Sequence, residues 1–243
     1  MKGSFNSIKS IEDARKLRVR DVWDVDSEDI EYLLKLFKGF YRYPGEPNPE
    51  IPHPILNSKF HSDGFVNCME VLKESNLCEI LAFRMIYQSP LGVKTNIPDW
   101  VISAAYSGID FGHEIARQLG VRHAFVEKDQ MGDPTIWSRF TVKKGEIVLI
   151  ANELLTTPDG STLKTKLAVA GQNSELPVKF IPFTTVLVNR SPDSETLSDG
   201  TVIKSLARFK MQNFKPEECP YCAVGSQALH PKKDGNWDKY FQQ

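Results

Sequence analysis

The stretch Val148–Val169 changes its hydrophobic pattern twice. It begins with the apolar run Val148–Ala151, which predicts a strand covered on both faces. Thr156–Gly160 then supplies hydroxyls, a proline and a glycine, which are common turn residues. From Ser161, which stands at the predicted N-cap, apolar residues recur with helical spacing. The pattern therefore predicts a buried strand, a short turn and a helix.

Strands and helices alternate through the middle of the chain. The apolar patterns predict strands at Trp100–Ala105, His123–Glu127, Glu146–Ala151 and Phe183–Asn189, and helices at Met69–Tyr87, Gly108–Leu119 and Ser161–Ala170. Strands separated by helices of this length form right-handed βαβ crossovers. The sequence therefore predicts an α/β fold with a parallel central sheet flanked by helices. Ligands of such sheets collect at the C-terminal ends of the strands.

The N-terminal part of the chain has a different pattern. Residues 1–43 read as helical, and the acidic residues within Asp26–Asp29 precede the apolar segment IEYLLKLFKGF, as at a helix N-terminus. Tyr41–Pro54 contains five prolines and must be extended or turned. We expect an N-terminal helical extension with a proline-rich arm over residues 1–52 and a main domain over residues 53–243.

Charge and hydropathy narrow the class of partner. The net charge of −1 gives no basic surface for nucleic acid or for a membrane. No run of 18 apolar residues is present, and MKGSFNSIKSIEDARK lacks the apolar core of a signal peptide. We therefore expect a cytoplasmic protein whose partner is a small molecule.

Two of the four cysteines form the pair CPYC at Cys219 and Cys222. A zinc site needs about four ligands, and no second cysteine pair completes one in the sequence. The position near the C-terminus is unusual for a redox pair, which normally begins a helix early in a fold. The sequence-based interpretation is a structural turn.

Several predicted strand ends carry groups suited to anions. The segment AAYSGID places Tyr106, Ser107 and Gly108 at the start of a helix, and the turn before Ser161 has the same form. Lys128 and Arg190 follow two further strands. A plain strand-to-helix connection would explain either turn alone, but together with the two cations they indicate a site for a ligand with several phosphates, or with a phosphate and a carboxylate.

The order of these segments resembles the type I phosphoribosyltransferases, and within them the bacterial orotate phosphoribosyltransferases. The resemblance runs from about His53 to Pro231. The corresponding segments are NSKFHSDGFVN, AAYSGID, FVEKD, NELLTTPDGST, VNRS and KPEECPYCAVGS. The last segment is long and unusual in composition, so it is the most specific of the six.

The resemblance implies a phosphoribosyltransferase-like fold with a hood over the base, and transfer of phosphoribose from phosphoribosyl pyrophosphate to orotate or a related base in pyrimidine nucleotide biosynthesis. Such a protein is a pentosyltransferase, a kind of glycosyltransferase. The implied site residues are Glu153, Asn152 and Lys128 for catalysis; Thr156, Thr157, Gly160, Ser161 and Thr162 for the phosphosugar; Tyr106, Ser107 and Gly108 for pyrophosphate; and Arg190, Lys59 and Phe65 for the base, the last two within a hood at Ser58–Phe65.

This sequence departs from the family pattern at three positions of the phosphosugar segment. Asn152 stands where the family has a carboxylate, so one charge that would stabilise the transition state is missing. Pro158 lacks an N–H donor, and Asp159 adds negative charge to a phosphate-binding turn. The alternative is therefore a catalytically weakened or inactive relative that acts as a ligand-binding or regulatory protein.

The resemblance also implies a metal and an oligomeric state. Mg²⁺ is expected only with the pyrophosphate of the substrate, because this ion keeps most of its waters, so no protein ligand is assigned. We expect a homodimer in which a mobile loop at Gly132–Trp137 completes the neighbouring site. Ser138 and Arg139 stand where the family has two arginines. His61 and His113 are interpreted as hydrogen-bonded structural residues.

Overall fold

The computed structural model describes residues 5–92, 97–128, 134–136, 140–171, 177–191 and 193–241. The helices are α1 (Ile11–Lys16), α2 (Ser27–Leu36), α3 (Met69–Leu72), α4 (Ser75–Gln88), α5 (Gly108–Leu119), α6 (Ser161–Gly171), α7 (Pro220–Ala223) and α8 (Asn236–Lys239). The strands are β1 (Phe40–Arg42), β2 (His53–Pro54), β3 (His61–Ser62), β4 (Gly64–Val66), β5 (Trp100–Ala104), β6 (Arg122–Lys128), β7 (Pro134–Ile136), β8 (Ile147–Leu155), β9 (Lys179–Phe180), β10 (Phe183–Asn189), β11 (Val202–Arg208), β12 (Asn213–Phe214) and β13 (Ala228–Leu229).

The main sheet has the strand order β11-β10-β8-β5-β6-β7, and β9 pairs with the beginning of β8. All neighbouring strands of this sheet are parallel except β6 and β7, which are antiparallel. The predicted α/β fold with a parallel central sheet is confirmed. The strand predicted at Val148–Ala151 lies inside the sheet, between β5 and β10.

Alternate residues of the inner strands enter two different cores. Val101 and Leu149 belong to the larger core, which α4 and α5 cover, whereas Ile102 and Val148 belong to the smaller core on the other face. Val169 of α6 packs into that smaller core. Successive side chains of a strand point to opposite faces of the sheet. A strand whose two faces are both buried therefore has a continuous run of apolar residues, as β5 and β8 do.

The N-terminal helices add to the larger core. Phe5, Ile30 and Leu33 pack in the same cluster as the residues of α4 and the sheet. The Asp26 side chain accepts hydrogen bonds from the backbone N–H groups of Glu28 and Asp29, so the predicted acidic start of α2 is confirmed. Helix packing on the sheet, rather than helix propensity alone, stabilises this segment.

The structure differs from the predicted elements in three places. The helix expected at Met69–Tyr87 divides into α3 and α4 at Glu74, whose backbone is extended and whose carboxylate is held by Arg15 of α1. The strand expected to end at Ala151 continues to Leu155, because its last residues still pair with β10. β11 was not predicted, since this edge strand carries polar residues within its apolar pattern.

The hood expected at Ser58–Phe65 belongs to a larger unit of short paired strands. From here on the hood means residues 40–66 together with residues 211–241. β1 pairs with β4, β3 pairs with β12, and β2 pairs with β13. Tyr41, Tyr43, Tyr221 and Tyr240 pack together in its core. These pairings bring the CPYC segment beside the proline-rich arm. No helix in the part of the chain that the structure describes is long and apolar enough to cross a membrane.

Candidate functional site

A pocket of about 300 Å³ lies at the C-terminal ends of β5, β6, β8 and β10, between the sheet and the hood. Most of the predicted site residues line it: Phe65, Tyr106, Ser107, Lys128, Asn152, Glu153, Thr156, Thr157, Ser161 and Arg190. The remaining four, Lys59, Gly108, Gly160 and Thr162, do not line it. The sequence prediction therefore brings ten of the fourteen residues together at one pocket.

The threonine turn, Thr156–Gly160, joins β8 to α6. The N–H of Gly160 donates to the Thr157 carbonyl at 3.0 Å, so this N–H is engaged within the turn. A Cβ at Gly160 would lie 3.0 Å from the same carbonyl oxygen, which explains the glycine. The carbonyl of Gly160 accepts the N–H of Lys164 at 3.1 Å, so Gly160 is the N-cap and Ser161 is the first helical residue, a correction of one position.

The two replacements that raised doubt about the threonine turn do not line the pocket. Pro158 and Asp159 lie at the tip of the turn, and Asp159 is exposed to solvent. The effect of the Asp159 charge on a phosphate bound at this turn stays a prediction. Thr156, Thr157 and Ser161 face the pocket instead and offer hydroxyl groups beside the N-terminus of α6.

Asn152 is buried near the end of β8 and holds the first turn of α6 to the strand. Its Nδ2 group lies 3.1 Å from Ser161 Oγ, 3.1 Å from Thr162 Oγ1 and 3.3 Å from the Leu154 carbonyl. Its Oδ1 accepts the N–H of Glu153 at 2.9 Å. Thr162 thus contributes by fixing Asn152, because its side chain is itself buried behind the pocket.

Glu153 is the only acidic residue among the described residues that line the pocket. Its Oε2 is buried and has no hydrogen-bond partner within the described parts of the chain. Burial raises the pKa of this carboxyl above its ordinary value, while Lys232 and Ser107 favour the charged form. A buried carboxylate oxygen without a partner is available to a bound ligand.

The tyrosine turn, Tyr106–Gly108, leads into α5 next to the side chains of Asn152 and Glu153. A Cβ at Gly108 would lie 2.7 Å from Asn152 Oδ1 and 3.2 Å from Glu153 Oε2. Because Gly108 has no side chain, the start of α5 can lie in close contact with the side chains of Asn152 and Glu153. The Lys128 ammonium lies 5.6 Å from the centre of the exposed Tyr106 ring, at the same side of the pocket.

Arg190 follows β10 and is only 1% exposed. Its Nη2 donates to Ser62 Oγ at 2.7 Å and to Asn213 Oδ1 at 3.2 Å, while Nε has no partner within the described residues. Burial lowers the pKa of this guanidinium to about 10, so the group stays charged at neutral pH. A buried cation facing a pocket attracts an anionic ligand.

The hood supplies lining residues that the sequence analysis missed. His230 and Lys232 follow β13, and Asn57 lies opposite, with its Oδ1 2.8 Å from His230 Nε2. Lys59 sits in the neighbouring turn, where its N–H donates to the Leu56 carbonyl. The basic sequence HPKK after the CPYC segment was the available signal for this third side of the pocket.

The loop predicted to complete a neighbouring site falls mostly outside the described residues. Of Gly132–Trp137, only Pro134–Ile136 is described, as the backbone of β7. Ser138 and Arg139 also lie outside the described residues.

A second polar cluster lies within the hood, where His53 and His61 meet Cys219 and Cys222. One ligand atom from each residue lies within 4.8 Å of the ligand atoms of the other three. The prediction that CPYC lacks two further metal ligands is therefore wrong, because two histidines distant in the sequence lie beside the two cysteines. His61 belongs to this cluster and does not line the pocket at the strand ends.

Comparisons with known proteins give consistent results. No protein-family model matches the chain. An orotate phosphoribosyltransferase of Nitratiruptor sp. is 32% identical over 192 residues, which cover 76% of this chain and 92% of that protein. An orotate phosphoribosyltransferase of Sulfurovum sp. is 33% identical over 198 residues, which cover 75% of this chain and 92% of that protein.

Solved structures agree in fold. The orotate phosphoribosyltransferase of Aeropyrum pernix aligns with a TM-score of 0.53 and 18% identity, covering 74% of this chain and 93% of that chain. The Leishmania donovani UMP synthase aligns with a TM-score of 0.52 and 15% identity, covering 75% of this chain and 36% of that chain. At these identities the likeness concerns the fold alone.

Proposed function

The chain belongs to the orotate phosphoribosyltransferase family, and we propose that it transfers the phosphoribosyl group of phosphoribosyl pyrophosphate to orotate, a step of pyrimidine nucleotide synthesis. The observation that carries the proposal is the arrangement of the pocket. Among the described residues that line the pocket there are three cations, Lys128, Arg190 and Lys232, and one acid, Glu153. This charge pattern suits a substrate with several phosphates that develops positive charge at one carbon during the reaction.

The geometry supports a position for each part of the substrates. We propose that Thr156, Thr157 and Ser161 bind the 5-phosphate, since their hydroxyls lie at the N-terminus of α6. Pyrophosphate would contact the tyrosine turn and Lys128 at the adjoining strand end. Phe65 and Arg190 remain for the base, where Arg190 offers a charge to the carboxylate of orotate.

In the proposed reaction, the bond from ribose C1 to the pyrophosphate oxygen breaks and a bond from C1 to the ring nitrogen forms. Pyrophosphate leaves with the bonding electrons of the C1–O bond. The ring nitrogen supplies the electron pair of the new bond and releases its proton to the departing pyrophosphate. Glu153 would oppose the positive charge that develops on the ribose in between. The buried Oε2 without a partner supports this role, because little solvent screens it.

We propose that Mg²⁺ enters the pocket with the pyrophosphate. The ion prefers oxygen ligands and keeps several waters, so it needs few protein ligands. A pocket with one carboxylate and several hydroxyls among its described lining residues fits this manner of binding. The ion supplies neutralisation of the pyrophosphate charge, while the protein residues bind and orient the two substrates.

We also propose a homodimer in the cytoplasm. The free thiols Cys68, Cys78, Cys219 and Cys222 are consistent with a reducing compartment. Phe83 and Tyr87 stack with their ring centres 6.4 Å apart on the outer face of α4, and Tyr87 is 69% exposed. An exposed aromatic patch supports an interface with a second copy.

The test is a pyrophosphate-release assay with phosphoribosyl pyrophosphate, Mg²⁺ and a panel of orotate, uracil and adenine. The expected result is release that depends on orotate. A Lys128→Ala variant should lose most of this rate, whereas Lys179→Ala, which changes an exposed lysine of β9 outside the pocket lining, should retain it. Binding of phosphoribosyl pyrophosphate by calorimetry without release with any base would contradict the proposal and favour the inactive alternative.

A further inference from the structure

The four-residue cluster in the hood has the composition of a tetrahedral metal site. His53, His61 and Cys219 are buried, and Cys222 closes the cluster on the outer side. Two imidazoles and two thiols form one of the common ligand sets of structural zinc sites. The CPYC spacing, with two residues between the thiols, is also typical of such sites.

The distances between the ligand atoms fit a zinc ion. Nε2 of His53 lies 2.9 Å from Nδ1 of His61. The sulfur of Cys219 lies 3.6 Å from Nε2 of His53, and the sulfur of Cys222 lies 3.5 Å from that atom and 3.2 Å from Nδ1 of His61. A tetrahedral ion with bonds of about 2.0–2.1 Å to nitrogen and about 2.3 Å to sulfur places such atoms roughly 3.3–3.8 Å apart. Small shifts of the imidazoles would therefore centre an ion between all four atoms.

A neighbouring serine fixes which nitrogen of His53 faces the cluster. Ser226 Oγ donates its only hydrogen to the Ile51 carbonyl at 2.6 Å, because a carbonyl can only accept. Ser226 must then accept the bond at 2.8 Å from Nδ1–H of His53. Nε2 of His53 consequently has no hydrogen and directs a lone pair at the two sulfurs and His61. Zinc-binding histidines are typically held by such an outer hydrogen bond.

We propose that His53, His61, Cys219 and Cys222 bind one Zn²⁺ ion as a structural site. A borderline-soft ion without a redox change suits two thiolates and two neutral imidazoles, whereas Mg²⁺ and Ca²⁺ prefer oxygen ligands. With four protein ligands the ion has no open position, so its role is to hold the hood together.

The site would link segments that are far apart in the sequence. His53 lies on β2 and His61 on β3, whereas Cys219 precedes α7 and Cys222 lies within it. Ser62, the residue after His61, accepts the hydrogen bond of Arg190 and donates one to the Gln212 carbonyl at 2.7 Å. Binding of the ion would therefore also secure the wall of the pocket that holds Arg190.

The direct test is the metal content of tag-free protein, prepared under reducing conditions and measured by elemental mass spectrometry. We expect about one equivalent of zinc per chain. Cobalt exchanged for zinc should show the absorption of a tetrahedral ion with thiolate ligands. Neither measurement depends on transferase activity, so their outcome is separate from that of the proposed function.

Variants distinguish the site from adventitious binding. Cys222→Ser should weaken zinc affinity by more than about 100-fold, since even outer partners of zinc ligands contribute about 10–100-fold. Ser226→Ala should weaken affinity within that smaller range and retain the cobalt spectrum. Cys78→Ser, which removes a buried thiol of α4, is the matched control and should keep its zinc even if it is less stable.

Less than a tenth of an equivalent of zinc after reconstitution would overturn the proposal. Equal affinity of the wild type and the Cys222→Ser variant would also overturn it. The same holds for a disulfide between Cys219 and Cys222 in the purified protein, because oxidised sulfurs cannot ligate zinc as thiolates.

Discussion

Asn152 and Glu153 are neighbours at the end of β8, but their side chains are used differently. The amide of Asn152 donates to side chains at the start of α6 and to a carbonyl of β8, whereas one carboxylate oxygen of Glu153 is left for a ligand. From the sequence alone, Asn152 is a missing catalytic carboxylate. In the structure it is also a buried connection that keeps Ser161 in place.

Asn152→Asp tests which of the two roles dominates. The carboxylate cannot donate to the Leu154 carbonyl, so we expect a loss of about 1–2 kcal/mol in the free energy of unfolding. We also expect weaker binding of phosphoribosyl pyrophosphate and no gain in kcat. Thermal unfolding and steady-state kinetics provide the measurements. A higher kcat with an unchanged melting temperature would show that the amide only replaces a catalytic charge.

His123 makes the stability of the fold depend on pH. Burial lowers the pKa of His123 to about 4, and its Nε2 lies 2.9 Å from Ser103 Oγ. For a base whose folded pKa is depressed, the stabilisation is present above the unfolded value of 6.5 and is lost as the pH falls towards 4. Denaturant unfolding across this range should show a smaller loss for His123→Gln than for the wild type. Parallel curves for the two proteins would contradict this assignment.

At the level of elements, the helix start at Gly108 is adapted to the residues of β8. Gly108→Ala would place a Cβ 2.7 Å from Asn152 Oδ1, and we expect a loss of about 1–3 kcal/mol in stability together with reduced activity. Gly171→Ala at the end of α6 is the control, since no atom lies within 4 Å of the added carbon. Circular dichroism melts compare the two variants. Equal melting temperatures of the two variants would contradict this expectation, because α5 would then accommodate the added carbon with no loss of stability.

The sequence was sufficient to predict the helices and strands whose own pattern of apolar residues determines which side is buried. The bounds of α5 and β10 were predicted correctly, because Gly108 and Asn189 mark clear ends of their patterns. The short strands of the hood were not predicted, since a pairing such as β2 with β13 depends on contacts between distant segments. For the same reason the pocket lining at Lys232 and the meeting of His53 with Cys222 were missed. Local pattern does not encode such contacts.

At the scale of the molecule, the exposed aromatic patch on α4 predicts self-association. Phe83→Glu combined with Tyr87→Glu should convert a dimer into a monomer, because the added charges would be buried at the interface. Leu167→Glu is the control, since Leu167 is 57% exposed on α6, on the other face of the sheet. Analytical ultracentrifugation at micromolar concentration measures the difference. A wild-type protein that sediments only as a monomer would refute the dimer.

The N-terminal extension packs against the main sheet and its helix α4. Residues of α1 and α2 pack into the larger core, and Arg84 of α4 donates to the carbonyls of Val19 and Trp23. We propose that residues 1–52 form an extension of the domain at 53–243, in which α1 and α2 cover the α4 side of the sheet and β1 joins the hood. None of the described residues of this extension lines the pocket.

The central claim is that phosphoribosyl transfer takes place beside Glu153, and the rate of orotidine monophosphate formation in Glu153→Gln tests it most directly. Burial disfavours the charged carboxylate, so the neutral amide should leave the melting temperature unchanged or raise it. Loss of the charge should lower kcat by about 100-fold, which corresponds to about 2.7 kcal/mol, while phosphoribosyl pyrophosphate still binds. A folded Glu153→Gln protein that forms product at the wild-type rate would contradict the account.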